Sequence, residues 1–256
     1  MSAKGRPERE LLPLGGKARS AKGAPTSGGA GGGERATGIA LFDLDYTLLG
    51  GDATYEWIHF LIGQGALDRA TYEAELEQFY VDYRDGTLDI RDFLHFDFRA
   101  LSSHPRAQME AWREQYLAQA IVPILLPKAS ELIASHAARG HMTVIVTAAN
   151  SFITTPIAGM YGVPHLLASD PEIVDGEFTG RIEGIPCFHE GKFIRLEAWL
   201  ADRGQALPDF AESYFYGDSQ SDVPLMERVT HPVVVGPDEA LARLARERNW
   251  PVISLR

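Results

Sequence analysis

The stretch IALFDLDYT, at residues 39–47, constrains the fold of this chain more than any other segment. Its four consecutive apolar residues, Ile39 to Phe42, are typical of a strand buried on both faces, as in a parallel sheet covered by helices. Asp43 and Asp45 follow where this strand is predicted to end. Two same-sided carboxylates repel each other unless a cation lies between them or one holds a proton. The pattern therefore predicts a polar site at the carboxyl end of a buried strand.

Beyond residue 126 the chain alternates helical segments with apolar extended ones. A hairpin turn is predicted at Asp175-Gly176. Strands separated by helices indicate an α/β fold with a doubly wound, mainly parallel sheet covered on both faces. The predicted strands lie at 38–44, 142–147, near 166–167, and at 212–217, 232–235 and 251–254, and the predicted helices at 127–139, 151–161, 191–203, 221–229 and 238–248.

Residues 50–125 interrupt this alternation. They have helical periodicity, and none of their segments is typical of a parallel strand. A connection between parallel strands needs only about a dozen residues, whereas 104 positions separate Asp43 from Thr147. We therefore predict a helical cap domain at 50–125, inserted above the carboxyl end of the first strand, and a catalytic core formed by 37–49 and 126–256.

Composition separates residues 1–36 from the rest of the chain. This Gly-, Ser- and Ala-rich segment carries seven basic and three acidic side chains, and we predict a flexible N-terminal tail of net charge +4. The whole chain carries −11, so the body carries −15, which argues against a nucleic-acid partner. No apolar run is long enough to span a membrane. The single cysteine, Cys187, excludes an internal disulfide. We expect a cytoplasmic protein with no membrane partner.

Further polar residues lie at predicted strand ends or helix starts. Thr147 ends the strand TVIVT, Lys192 begins a predicted helix, and Asp218 and Asp222 follow the strand SYFYG. Each alone has an ordinary structural explanation, such as a turn residue, a solvated lysine or a helix N-cap. In a doubly wound sheet, however, all these positions share one edge with Asp43.

The chain resembles the haloacid dehalogenase (HAD) superfamily of phosphohydrolases, which has four motifs in a fixed order. The segments that resemble these motifs are, in the same order, DLDYT, Thr147, Lys192 and GDSQSD. The helical insertion lies where that superfamily has its C1 cap. VDGEFTGRI and EGKFIRL resemble subfamily IB, the group that includes phosphoserine phosphatase. The resemblance covers about residues 38–254. It implies a HAD-like fold and Mg²⁺-dependent hydrolysis of phosphate monoesters through an aspartyl phosphate.

The resemblance also implies a role for each motif residue. Asp43 would be the nucleophile, and Asp45 would protonate the leaving group and then accept a proton from water. Thr147 and Lys192 would contact the phosphoryl oxygens. The implied Mg²⁺ site comprises Asp43, the backbone carbonyl of Asp45, Asp218 and Asp222.

The cap is expected to select the leaving group of a small phosphorylated metabolite. We predict that Asp52, Glu56 and Trp57, at the start of the first cap helix, contact the substrate; the alternative is an N-cap, a solvated acid and a core aromatic residue. The cap carries 13 acidic residues and six arginines, which favours a cationic leaving group unless this is an ordinary solvated surface. The chain also resembles bacterial subfamily-IB proteins that include histidinol-phosphate phosphatases. The segments that carry this resemblance are LFDLDYTLLGGD, PCFHEGKF and PVVVGPDEAL. We therefore predict histidinol phosphate as the substrate.

Several alternatives stay open at the level of the sequence. Phosphoserine is one, although Thr147-Ala148-Ala149 replaces the Ser-Gly-Gly run of phosphoserine phosphatases and no arginine matches the one that would hold the serine carboxylate. A broad-specificity phosphatase is another. A signalling receiver domain also carries aspartates, a threonine and a lysine at strand ends, but the large insertion, the late GDSQSD and Asp45 oppose it. A catalytically inactive HAD fold that serves as a binding module is the last.

Overall fold

The computed structural model describes residues 37–256, so the predicted tail at 1–36 lies outside the described residues. In the described part, seven strands form one sheet in the order β4-β3-β2-β1-β5-β6-β7, and every neighbouring pair is parallel except β3 and β4. This confirms the predicted doubly wound, mainly parallel α/β sheet. The strands are β1 (Gly38–Phe42), β2 (Met142–Asn150), β3 (His165–Val174), β4 (Glu177–Glu183), β5 (Glu212–Gly217), β6 (His231–Val235) and β7 (Val252–Ile253).

Helices cover both faces of the sheet and form the insertion after β1. A π-helical turn (Leu117–Ile121) and a 3₁₀ turn (Val122–Ile124) lead from the insertion back to the sheet. The helices are α1 (Ala53–Gly63), α2 (Arg69–Asp85), α3 (Ile90–Leu101), α4 (Arg106–Tyr116), α5 (Pro127–Ala138), α6 (Ser151–Met160), α7 (Glu190–Ala201), α8 (Val223–Met226) and α9 (Glu239–Arg248).

The strand β1 contributes alternate side chains to two hydrophobic clusters. Ile39 and Leu41 pack in the cluster that contains residues of α7, α8 and α9. Ala40 and Phe42 pack in the other cluster, with residues of α5, α6 and the insertion. All five strand residues are buried. Burial on both faces is the physical reason for the continuous apolar run in the sequence.

The insertion joins the sheet through two adjacent connections. Leu49 and Leu125 form an antiparallel bridge, and the Gly50 amide donates to the Ile124 carbonyl at 2.7 Å. The hydrophobic cluster that contains Phe42 continues without a break into the insertion. Covalent connections and packing together hold the insertion against the carboxyl end of β1.

Three predicted elements differ from the structure by more than two residues at an end. The strand β2 extends to Asn150 rather than residue 147, because the Asn150 side chain accepts a hydrogen bond from the Ile153 amide and begins α6 directly after the strand. Residues 166–167 belong to the long strand β3, which continues into the hairpin that turns at Asp175-Gly176 as predicted. The helix predicted at 221–229 is only α8, since residues 220–222 form a 3₁₀ turn around Asp222.

Asp97, on α3, is a buried carboxyl group that links the insertion to the sheet. Its Oδ2 accepts a hydrogen bond from Asn150 Nδ2 at 2.8 Å, and its Oδ1 has no partner among residues 37–256. Burial raises the pKa of Asp97 to about 7, although the Asn150 hydrogen bond opposes the rise. The folded state therefore holds a proton on Asp97 at pH values where the unfolded chain has released it.

We expect this proton to make folding stability depend on pH. Stability should fall as the pH rises from about 4 to about 7, by on the order of 4 kcal/mol, because over this window the folded state holds the Asp97 proton and unfolding releases it. Asp97→Asn removes the ionisation, so the variant should melt above the wild type at pH 8, with a smaller difference at pH 5. Thermal denaturation across this range measures the effect. Asp92→Asn, at an exposed position on α3, is the control, and parallel pH curves for wild type and Asp97→Asn would contradict the prediction.

Candidate active site

Asp43 is the first residue after β1 and lies at the carboxyl edge of the sheet. Its backbone amide donates to the Tyr216 carbonyl of β5 at 2.8 Å, which continues the strand pairing one residue past β1. The Asp43 side chain is buried. The sheet itself therefore fixes the position of this carboxylate.

Lys192, on α7, is a buried lysine that bridges two carboxylates. Its Nζ lies 2.6 Å from Oδ1 of Asp43 and 2.6 Å from Oδ1 of Asp222. Burial by itself would lower the pKa of Lys192, but the two carboxylates raise it well above its ordinary value. The lysine is therefore charged. Removal of this cation would leave buried carboxylates without compensation, which is strongly destabilising.

The start of α7 is held tightly by the preceding loop. His189 has a φ of 48°, which is uncommon for a residue other than glycine. A Cβ atom on Gly191 would overlap the Pro186 carbonyl oxygen, so only glycine fits there. Strained backbone of this kind is concentrated at functional sites. It directs Lys192, the next residue, toward the carboxylates.

Asp43, Asp218 and Asp222 form an acidic cluster at the ends of β1 and β5. Each offers one carboxylate oxygen, and these oxygens lie within 4.8 Å of one another. Burial raises the pKa of Asp43 to about 7 even though Lys192 opposes the rise, and burial together with Asp43 and Asp222 raises the pKa of Asp218. Three carboxylates beside the single lysine leave an excess of negative charge. Carboxylate oxygens are also ligands that Mg²⁺ prefers, so the cluster fits Mg²⁺.

Asp222 also supports the loop that carries Asp218. Its Oδ2 accepts hydrogen bonds from the backbone amides of Asp218 at 3.2 Å and Ser219 at 3.3 Å. A Cβ atom on Gly217 would overlap this carboxylate. The Gly-Asp sequence at the end of β5 therefore lets Asp222 bind the loop amides and Lys192 at once.

Asp45 lies beside the first helix of the insertion. Its Oδ1 accepts a hydrogen bond from the Ala53 amide at 2.7 Å, and Asp52 caps the same helix by accepting from the Tyr55 amide at 2.8 Å. Tyr46, between them, turns the chain with a φ of 54°. Burial, with Asp52 and Asp43 adding to it, raises the pKa of Asp45 well above its ordinary value. This direction suits a proton donor.

Two threonines complete the polar edge. Thr147 is buried, and its Oγ1 accepts a hydrogen bond from the Ala149 amide at 3.2 Å, which leaves its O–H available as a donor. Thr47 is also buried, with its Oγ1 3.5 Å from Oδ1 of Asp218. Thr147 lies within β2, three residues before its end, and Thr47 lies in the turn that follows β1.

A cavity of about 100 Å³ separates this edge of the sheet from the insertion. Asp52, the N-cap of α1, lines it. Trp57 does not, because it is buried in the core of the insertion against Tyr116 and Phe152, and neither does the half-buried Glu56. The lining residues are Asp43, Asp45, Tyr46, Asp52, Thr54, Phe79, Tyr80, Tyr83, Leu88, Ile90, Phe93, Ala148, Ala149, Phe188, Lys192, Asp218, Ser219 and Ser221.

The aromatic residues of α2 and α3 are the part of this lining that the sequence analysis missed. Phe79, Tyr80 and Tyr83 come from α2, and Phe93 comes from α3. Aromatic residues at helical spacing usually belong to a hydrophobic core. One feature of the sequence could have indicated them. Tyr80 and Tyr83 carry hydroxyl groups on a helix of the insertion, which was predicted to lie above the motif residues.

Buried carboxylates, a bridging lysine and an adjoining cavity at the edge of a parallel sheet form an arrangement that suits a hydrolase acting on phosphoryl groups. The chain matches the model of the haloacid dehalogenase-like hydrolases over residues 40–227 and belongs to this family. This confirms the resemblance found in the sequence. The chain is a phosphatase of the HAD superfamily, which excludes the receiver domain.

Individual relatives agree with this assignment. The chain is 37% identical over 219 residues to a histidinol-phosphatase of Neisseria meningitidis serogroup C (strain 8013), covering 85% of this chain and 99% of that protein. A crystal structure of a Bordetella pertussis Tohama I protein of unknown function is 44% identical, with a TM-score of 0.82 over 87% of this chain and 100% of that one. A phosphoserine phosphatase with a phospho-aspartyl intermediate analogue shares the fold, at 19% identity and a TM-score of 0.62 over 87% and 95%.

None of the helices within residues 37–256 is both long enough and apolar enough to cross a membrane.

We expect Gly217→Ala to abolish activity, because the new methyl group must displace the Asp222 carboxylate from the loop amides and from Lys192. Phosphate release from an aryl phosphate should fall at least about a hundredfold, as for loss of a preorganised electrostatic contact. Gly63→Ala is the matched control, since its added methyl group meets no atom within 4 Å. Equal activity of the two variants would contradict the prediction.

Proposed function

We propose that the chain hydrolyses the phosphate monoester of a small amine-bearing alcohol, with histidinol phosphate as the substrate. The observation that carries this proposal is the charge of the cavity. Its acidic lining residues are Asp43, Asp45, Asp52 and Asp218. Among the described residues that line it, Lys192 is the only cation, and it already contacts two carboxylates.

This charge distribution discriminates between leaving groups. An amine on the leaving group is attracted to Asp52, the acid that lies on the insertion side of the cavity. The carboxylate of a leaving serine would face the same acids without an arginine to pair with, and an unpaired charge is costly in a closed site. Histidinol phosphate has an amine and an imidazole but no carboxylate. The similarity to a histidinol-phosphatase supports the same choice.

Asp43, Asp218 and Asp222 are the residues that would hold Mg²⁺, together with the backbone carbonyl of Asp45. Bound there, Mg²⁺ supplies positive charge that offsets the repulsion between the carboxylates and the phosphoryl oxygens. Lys192 neutralises Asp43 from the other side and orients it. The Thr147 hydroxyl donates to a phosphoryl oxygen.

The chemistry has two steps. A carboxylate oxygen of Asp43 attacks phosphorus, the bond from phosphorus to the leaving oxygen breaks, and Asp45 gives its proton to that oxygen, which leaves an aspartyl phosphate. A water molecule then attacks the phosphorus, Asp45 takes its proton, and the bond to Asp43 breaks to release phosphate. Asp45 is suited to both transfers because the Ala53 amide fixes its carboxylate at the cavity wall.

We expect the wild type to release phosphate from histidinol phosphate faster than from O-phosphoserine, sugar phosphates, nucleotides or an aryl phosphate. Asp43→Asn should abolish all turnover, and EDTA should do the same reversibly, with Mg²⁺ restoring the rate. The control is Asp202→Asn, at an exposed acid after α7. Preference for O-phosphoserine would contradict the substrate, whereas absence of turnover with every compound would favour an inactive binding module.

We expect Asp52→Asn to act on the leaving group rather than on phosphoryl transfer. It removes the charge that attracts the amine but retains an oxygen that can cap α1 through the Tyr55 amide. The kcat/KM for histidinol phosphate should fall by about tenfold or more, as for the loss of a charged hydrogen bond, while that for an aryl phosphate whose leaving group is uncharged stays within about twofold. Steady-state kinetics on both substrates measure this, and an equal loss on both would contradict the role.

A further inference from the structure

Tyr80, on α2, is a polar residue of the cavity wall that the two-step chemistry does not use. Its hydroxyl oxygen is buried and has no hydrogen-bond partner in the part of the chain that the structure describes. A buried hydroxyl without a partner destabilises a protein. Such groups persist where the surrounding structure holds them for a function.

The surroundings of Tyr80 fix its ring and leave its hydroxyl beside an acid. The Tyr55 ring packs edge-on against it, with centroids 5.4 Å apart. Asp52 is its principal charged neighbour. Burial, the Asp52 charge and the closeness of the Asp52 carboxylate to the hydroxyl raise the pKa of Tyr80, so the hydroxyl keeps its proton. Tyr80 and Asp52 both line the cavity. A ligand in the cavity therefore meets one carboxylate and one phenol side by side on the same wall.

We propose that Tyr80 determines specificity by a hydrogen bond from its hydroxyl to a second polar atom of the leaving group, whose amine is held by Asp52. This inference rests on the proposed function, because it assigns a second contact to the same leaving group. Phe79 and Phe93 line the same cavity and supply apolar faces against which a flat ring can pack. The class of substrate is thus a phosphomonoester that carries an amine and a heteroaromatic ring nitrogen.

This arrangement distinguishes two amine-bearing substrates. Histidinol phosphate offers an amine to Asp52 and an imidazole nitrogen to Tyr80. O-Phosphoethanolamine offers the amine alone and leaves the phenol without a partner, and a site built to bond a polar atom discriminates against the analogue that lacks it. The wild type should therefore prefer histidinol phosphate over O-phosphoethanolamine.

The test is Tyr80→Phe, which removes the hydroxyl and keeps the ring. We expect kcat/KM for histidinol phosphate to fall about tenfold, chiefly through KM, while kcat/KM for O-phosphoethanolamine stays unchanged. The melting temperature of the ligand-free variant should stay close to that of the wild type, because the Tyr80 hydroxyl makes no hydrogen bond of regular geometry. A purely structural hydroxyl would instead lower it and slow both substrates alike.

Tyr72→Phe is the matched control on the same helix. Its hydroxyl accepts a hydrogen bond from Arg99 at 3.2 Å, and the residue is not part of the cavity lining, so substrate preference should be retained. If Tyr80→Phe also retains the full preference for histidinol phosphate, the role of Tyr80 is overturned and the proposed function stands. If the wild type shows no preference for histidinol phosphate, the proposed function fails and this inference falls with it.

Discussion

The ion pairs of Lys192 are the interaction on which the rest of the site depends. A buried ammonium group and two carboxylates are costly to remove from water, and the cost is offset only when each charge has a close partner. Asp43 and Asp222 each lie at 2.6 Å from the lysine nitrogen. One pair orients Asp43, the proposed nucleophile, and the other holds Asp222 and with it the loop after β5. A single cation therefore ties together the ends of β1, β5 and α7, which are far apart in the sequence.

Much of this edge could be predicted because a parallel sheet leaves few places for polar residues. Asp43, Lys192 and Asp218 follow apolar strands or begin helices, and right-handed connections in a doubly wound sheet bring such positions to one edge. The structure places them there. The apolar run of β1 and the turn at Asp175-Gly176 likewise depend only on neighbouring residues in the chain, so the sequence indicated both.

The cavity side of the insertion could not be predicted in the same way. Which side chains of a helix face the cavity depends on the rotation of that helix about its axis, and packing between helices sets this rotation. Glu56 and Trp57 follow Asp52 closely in sequence, but α1 directs Trp57 into the core of the insertion. Tyr80 reaches the cavity from α2, and aromatic residues at helical spacing do not reveal whether they face a core or a ligand. The buried link between Asp97 and Asn150 depends on packing between α3 and the end of β2, which sequence alone does not indicate.

The cavity is small for a substrate site. At about 100 Å³ it has less room than the several hundred Å³ typical of ligand pockets. The insertion connects to the sheet at Leu49 and Leu125, which lie next to each other, so a movement of the insertion relative to the sheet would pivot there. A hydrophobic cluster shared by the insertion and the sheet opposes a wide swing. In the proposed function, a small leaving group that fills the cavity excludes water and so strengthens its own contacts to Asp52 and Tyr80. Selection would then depend on charge and hydrogen bonding more than on bulk.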